Sequence, residues 1–406
     1  MDKKLSTLIL ALGILLLAAF LRLYGVNWDQ GQHLHPDERF LTMVATGISW
    51  PKDFGEYLDT GISPLNPHNR GFGFFVYGTF PVFFTKWVAE LLGKGDYGHL
   101  TIIGRQLSAM VDLGTVILVY LIAKQAISKS KFLISKKSPN AKSQLGQLEI
   151  RSIRNLPLLA MFLYSIMVLP VQLSHFYAVD TYLTFFITLS FYLLIRSINN
   201  QQSAISNIVF LGIAFGLALA SKISAVLFLP IIGIGLVINL ITNRNFLSFF
   251  VICCLLSVVC YLTIRLAQPY AFSNGNFFDF TLNQKVLDNW KQLKSFDDPN
   301  GWFPPGVQWI KTKPYLFPLK NIVLWGLGLP IGIISLISSA YLVLLIMYYI
   351  SKKKIYLILN TKYLILFLSF FWILFLFIYQ GGQFAKNMRY FIPIYPFLAI
   401  IASYFL

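Results

Sequence analysis

The chain is built around apolar runs of a length that only a membrane accommodates. Ile205 to Ala220, Ile223 to Ile241, Phe246 to Ile264 and Tyr363 to Tyr379 each pass without a single charged residue. Each approaches or reaches the roughly 20 residues that an α-helix needs to cross the hydrocarbon core. Nothing shows the two-residue alternation of an outer-membrane barrel, so the expected fold class is an all-α polytopic membrane protein. The bulk composition agrees: 56% apolar and 12% charged, against about a quarter charged in soluble domains. Cys253, Cys254 and Cys260 share one apolar run and read as packing thiols. After Lys3 and Lys4, the stretch Leu8 to Leu21 has no small-residue cleavage site before Arg22 and is expected to remain as a first membrane helix.

A net charge of +17 would suggest nucleic acid in a soluble chain, but here its distribution reads as topology, and no nucleic-acid partner is expected. Lys124 to Arg154 holds eight basic residues and one acid, Glu149, which puts a loop over 124–155 in the cytoplasm together with Lys3 and Lys4. An even number of crossings must separate those two points, yet three apolar stretches lie between them. Phe72 to Leu92, with Pro81, Lys86, Glu90 and three early glycines, is taken as an amphipathic helix that does not span. That leaves a first outer loop over 27–103. Spans then follow at 156–172, 182–198, 205–220, 223–241 and 246–264, leading to a second large outer loop over 265–319 rich in aromatics. Runs at 321–349, 363–379 and from Phe391 onward complete about ten expected transmembrane helices. The last of them is still running at Leu406, and a longer protein, with a C-terminal remainder missing here, is expected.

On this topology thirteen of the sixteen acids lie on the outer side, and only Asp112 is deep in a span. No cytoplasmic piece is long enough for a nucleotide-binding domain, and Gly93-Lys-Gly-Asp-Tyr-Gly98 has no strand before it and reads as a turn. The densest polar cluster, His33-Leu-His35-Pro-Asp37-Glu38-Arg39, follows the first span and is read as a loop. Its paired carboxylates can supply a general base and a substrate-orienting group, or can simply solvate the loop. A second cluster, Gln172 to Thr181, holds His175 and Asp180, the latter also a fitting helix N-cap. Lys222 stands between two apolar runs on the outer side, where snorkelling is the plain alternative to function. Lys386 and Arg389, three residues apart, can clamp a phosphate at headgroup level or anchor to ordinary lipids. Arg105 and Asp112 leave the same choice between function and pairing within the bundle.

Taken in order, these motifs resemble the GT-C fold, polyprenyl-phosphate-dependent glycosyltransferases, in the bacterial branch near protein O-mannosyltransferases and aminoarabinose transferases. The likeness rests on His35-Pro-Asp-Glu-Arg39 after the first span, Arg105-Gln-Leu-Ser-Ala109, Ser174-His-Phe-Tyr-Ala-Val-Asp180, Gly216-Leu-Ala-Leu-Ala-Ser-Lys222 and Met388-Arg-Tyr-Phe-Ile-Pro-Ile-Tyr-Pro396. It covers nearly the whole chain. It implies that Asp37 is the catalytic base and Glu38 its partner in positioning substrate. Asp180 would help bind donor or acceptor, with His35, Arg39, His175 and Lys222 as further substrate-binding groups, and Arg389 with Lys386 would hold the lipid phosphate.

The expected reaction moves a sugar from a polyprenyl-phosphate donor to an acceptor lipid, glycan or protein, with inversion, at the extracytoplasmic face of the plasma membrane. No cofactor is required. The chain has no Asp-x-Asp, and an essential divalent metal is not favoured, although His35, Asp37 and Glu38 leave one open. The rival readings are a polytopic lipid or glycan transporter, against which the rim position of the acids counts, and a noncatalytic scaffold.

Overall fold

The computed structural model describes residues 3–128, 144–199, 204–301, 304–352 and 361–406. Residues 129–143 of the basic loop, along with Lys353 and Lys354, therefore lie outside the described residues. In chain order the helices are α1 (Lys3–Leu23), α2 (Pro36–Gly47), α3 (Phe54–Leu58), α4 (Thr79–Leu91), α5 (Tyr97–Ser128), α6 (Gln144–Ser165), α7 (Val168–Ser174), α8 (Val179–Asn199), α9 (Ala204–Ser221), α10 (Leu229–Asn243), α11 (Phe246–Ala267), α12 (Gln284–Ser295), α13 (Leu316–Asn321), α14 (Leu329–Ser351), α15 (Thr361–Gly381) and α16 (Tyr395–Phe405). Among the described residues nine helices are long and apolar enough to cross a membrane, or ten when α6 and α7 count as one bent span. The chain is a multi-pass membrane protein.

The third span is not the single helix that 156–172 suggests. It bends by 58° between Ser165 and Val168. Pro170 lacks the N–H that would bond to the carbonyl of Ile166, and its ring crowds that carbonyl, so the helix breaks there. The second span is longer than expected. Its 32 residues extend to about 48 Å at 1.5 Å per residue, more than a ~30 Å hydrocarbon core. The Gly93-to-Gly98 segment is a turn, with Gly93 at φ +67°. α4 stays short, as the non-spanning reading required, and Pro81 falls in its first turn, where a missing N–H is harmless.

Two apolar cores result. The larger runs through the bundle and includes Tyr164, Phe191, Phe228, Trp372, Phe391 and Phe397. The smaller lies in a cap at one end, where α2, α4 and the start of α5 bury Leu41, Val44, Val82, Ala89 and Leu100 with Tyr177 and Tyr270. Within the bundle, Asp112 accepts from Arg22 Nε and from the Tyr164 hydroxyl, both at 2.6 Å, and Arg22 Nη1 donates to the Ser165 carbonyl at 2.9 Å. The acid deep in a span is thus paired, joining α1, α5 and α6. A cation and an anion placed in an apolar interior must find one another in this way.

The cap is seated on the bundle by backbone contact. Gly78 donates its N–H to the Ser221 carbonyl at 3.0 Å, and Thr79 Oγ1 donates to the Ala267 carbonyl at 2.7 Å. Any side chain at Gly78 would overlap the Ala220 carbonyl. This close approach brings Tyr77 beside the break between α9 and the next turn, where Lys222 stands.

Candidate active site

The first polar cluster is not a loop, because its acids begin a helix. His35 is the N-cap of α2, its Nδ1 accepting the Glu38 N–H at 3.3 Å, with Pro36 in the first turn. Two acids in that turn also suit the positive end of the helix dipole. An imidazole that accepts at Nδ1 carries its proton on Nε2. Burial, followed by the charge of Arg389, pulls the His35 pKa below the usual histidine value, with Glu38 and Asp180 opposing. The ring stacks on Phe176 with centroids 4.4 Å apart.

Neighbouring positions on a helix point about 100° apart, and the two acids part company accordingly. Glu38 turns inward and is fully buried. Arg105 donates to it from Nε at 2.9 Å and from Nη2 at 2.5 Å, and to Asp29 from Nη1 at 2.9 Å and Nη2 at 2.7 Å. With a further bond to the Val26 carbonyl at 3.0 Å, all five guanidinium N–H groups are used. Hydrogen bonding from Arg105 holds the Asp29 carboxyl at about 2. Glu38 Oε2 also accepts the Tyr177 N–H at 2.8 Å. Glu38, expected to position substrate, is engaged here by Arg105 and the Tyr177 N–H, tying α2 to the segment that leads into Asp180.

Asp37 turns away from Glu38, stays partly exposed and pairs with the guanidinium of Arg389. Arg389 reaches it from the turn Met388–Ile394, which Asn387 caps by accepting the Arg389 N–H at 3.2 Å. A second pair stands alongside, Lys222 Nζ to Asp180 Oδ1 at 2.7 Å. Tyr390 joins the two, its ring 5.0 Å from the Lys222 ammonium and 5.6 Å from the Arg389 guanidinium. The Tyr77 hydroxyl completes this group, its pKa raised by burial and by the nearby Asp180 and Tyr390. Four residues singled out in the sequence, Asp37, Asp180, Lys222 and Arg389, are thus brought into one cluster from positions up to 352 residues apart.

The remaining candidates are placed elsewhere. His175, expected to bind substrate, faces carbonyls with both ring nitrogens, Val171 at 2.8 Å and Tyr24 at 2.9 Å, and so fastens the loop after α1 to α7. Lys386 does not share a helical face with Arg389, because the chain is extended at 385–387 and enters its helical turn only at Met388. It is buried, donating to Thr312 Oγ1 at 3.2 Å and to the Phe384 carbonyl at 3.0 Å. Burial lowers its pKa, with Asp297 opposing. Arg39 is exposed and makes no ion pair among the described residues. His33 bonds to Thr101 Oγ1 at 3.1 Å.

Sequence reasoning missed Tyr77, Tyr390 and Asp29. Only Asp29 left a signal: a guanidinium inside a span, such as Arg105, demands carboxylates, and Asp29 is an acid that follows the first span closely.

Comparison with known proteins agrees with this architecture. Residues 151–265, which include Asp180 and Lys222, match the family model described as dolichyl-phosphate-mannose-protein mannosyltransferase. None of the curated proteins matches the chain. Among solved structures, the archaeal oligosaccharyltransferase AglB from Archaeoglobus fulgidus, in complex with an inhibitory peptide and a dolichol-phosphate, superposes with a TM-score of 0.60 at 13% identity, over 99% of this chain and 50% of that one. ArnT from Cupriavidus metallidurans, bound to undecaprenyl phosphate, gives 0.53 at 14% identity, over 98% of this chain and 60% of that one. This chain spans about half to three-fifths of the length of these structures. At such identities the likeness establishes the fold, which is that of the GT-C glycosyltransferases.

Proposed function

We propose that this chain, on its GT-C fold, transfers a sugar from a polyprenyl-phosphate donor to an acceptor hydroxyl, with inversion, and that Asp37 is the general base. The observation that carries this reading is the pairing of Asp37 with Arg389 beside Lys222 and Asp180, with the Tyr390 ring between the two cations. A carboxylate next to two cations is what such a displacement requires. Asp37 takes the acceptor proton as the acceptor oxygen bonds to the anomeric carbon, and the bond from that carbon to the lipid phosphate breaks on the opposite side. The electron pair leaves with the phosphate oxygen, where Arg389 and Lys222 stabilise the charge in a water-poor rim. Asp180 holds Lys222 in place, and Tyr77 and Tyr390 supply hydroxyls and ring faces for the sugar.

The polyprenyl phosphates carried by AglB and ArnT in their solved structures support the donor class. The extracytoplasmic side is supported by charge: Lys124, Arg196, Arg244 and Lys352 stand at the end of the bundle away from the site, as the positive-inside rule asks of a cytoplasmic face. The cell membrane follows as the location. No divalent metal takes part in this proposal, since both carboxylates of the cluster already have a cationic partner. The acceptor is left as a class: lipid, glycan or protein.

The test uses the purified full-length protein and a panel of polyprenyl-phosphate hexoses and pentoses, with lipid-phosphate release as the readout. Release by the wild type that is lost in Asp37→Asn supports the assignment. A donor that stays intact but crosses the bilayer of proteoliposomes would replace it with the transport reading.

A further inference from the structure

The segment after α11 folds back on itself. Phe272 and Leu282 form an antiparallel bridge, flanked by bonds from Ser273 N–H to the Thr281 carbonyl and from Asn283 N–H to the Ala271 carbonyl, each at 2.9 Å. The tip of this hairpin points back along α11 rather than away from the bundle. The Tyr261 hydroxyl donates to the Phe277 carbonyl at 2.6 Å, and Arg265 donates to the Asn276 carbonyl. The Arg265 guanidinium lies 4.1 Å from the centre of the Phe272 ring and 5.6 Å from that of Phe277, and the rings of Tyr261 and Phe280 are 4.9 Å apart. Tyr261 precedes the end of the span by six residues, about 9 Å of helix. The hairpin tip is therefore held beside the membrane-crossing part of α11.

The hairpin turns at Phe277 and Phe278, and Asp279 is held within the turn by bonds from Asn274 and from the Thr281 N–H. Phe278, Phe280 and Leu282 are 89%, 67% and 37% exposed, Phe280 alongside Tyr261 at the surface of α11. Three exposed apolar side chains have no reason to stand in water. Beside them runs the outer surface of α11, of whose most apolar window only 11% is buried. Val258, Leu262 and Leu266 form an exposed stripe along it, adjacent to Tyr261. The aromatic face of the hairpin thus continues a surface that meets lipid.

We infer that Phe278 and Phe280 insert into the bilayer at the boundary between headgroups and acyl chains, making this hairpin a lipid-embedded finger that pins the second large outer loop at a fixed depth. Arg265 and Tyr261 set that depth by bonding the tip carbonyls, which would otherwise enter the interface without partners. The inference stands apart from the proposed transfer reaction. The same loop carries Tyr270 in the cap core and, further on, Asp297 and Thr312 at the Lys386 loop, so an anchored finger also steadies the surroundings of the cluster.

Spin labelling of the full chain in phospholipid bilayers tests it, with Cys253, Cys254 and Cys260 replaced by alanine and single cysteines introduced as Phe278→Cys, Phe280→Cys, Val258→Cys and Lys291→Cys. Val258 is the lipid reference and Lys291, with 76% of its side chain exposed, the water reference. Expected is greater relaxation by oxygen than by a water-soluble nickel chelate at 278 and 280, as at 258, and the reverse at 291. Nickel accessibility at 278 and 280 equal to that at 291 would overturn the inference. These are exposed positions, so the labelled proteins should fold; the melting temperature of each in detergent separates loss of folding from loss of insertion.

Discussion

Asp37 and Glu38 are adjacent in the chain and do different work, which mutation separates. Asp37→Asn should lower donor-dependent phosphate release by roughly 10²- to 10⁴-fold, the usual worth of a general base, with an unchanged melting temperature in detergent. Glu38→Gln should instead cost stability. It leaves the fully buried Arg105 guanidinium with Asp29 as its only carboxylate, and breaking a buried pair costs about 3–5 kcal/mol; the readout is thermal unfolding. His35 adds a pH signature. Its folded pKa lies below the unfolded value, so the unfolded chain binds the extra proton first as pH falls. The stability His35 contributes is complete above about 6.5 and is lost as pH drops from there toward the lowered folded value. Unfolding midpoints taken in that window, with His35→Asn as the comparison, should show a pH slope that the variant lacks.

At the level of elements, the approach of Gly78 to the Ala220 carbonyl allows no side chain. Gly78→Ala should push the cap away from α9 and displace Tyr77 from Lys222, lowering both donor turnover and melting temperature; a variant with wild-type turnover would show that the cap is not set by this contact. The elements also show which features the sequence made readable. Long uncharged runs gave the spans, because in hydrocarbon a helix is the only way to satisfy the backbone. The short α4 could be read from Lys86 and Glu90, which are indeed paired at 2.6 Å. The start of α2 was overlooked although Pro36 and two first-turn acids announced it. The bend at Pro170 was passed over because apolar content, not proline, decided that span. Tyr390 stood within the quoted Met388-to-Pro396 motif without being singled out, and Tyr77 was not legible at all, because only the packing of distant segments gives it its place.

For the molecule as a whole, the end away from the site carries basic residues with almost no acids to balance them, so on the proposed reading topology and site location are a single claim. An impermeant maleimide should label Lys291→Cys from outside intact cells and Lys352→Cys only after the cytoplasmic face is opened; the opposite pattern would invert the orientation. The pairing of Asp37 with Arg389 and of Lys222 with Asp180 has one more consequence. Two carboxylates and two cations sum to zero, so the resting site is electroneutral. On the proposed reading, a phosphate headgroup would bring an unbalanced negative charge to this neutral set and compete with Asp37 for the Arg389 guanidinium, whose Nε has no hydrogen-bond partner of its own.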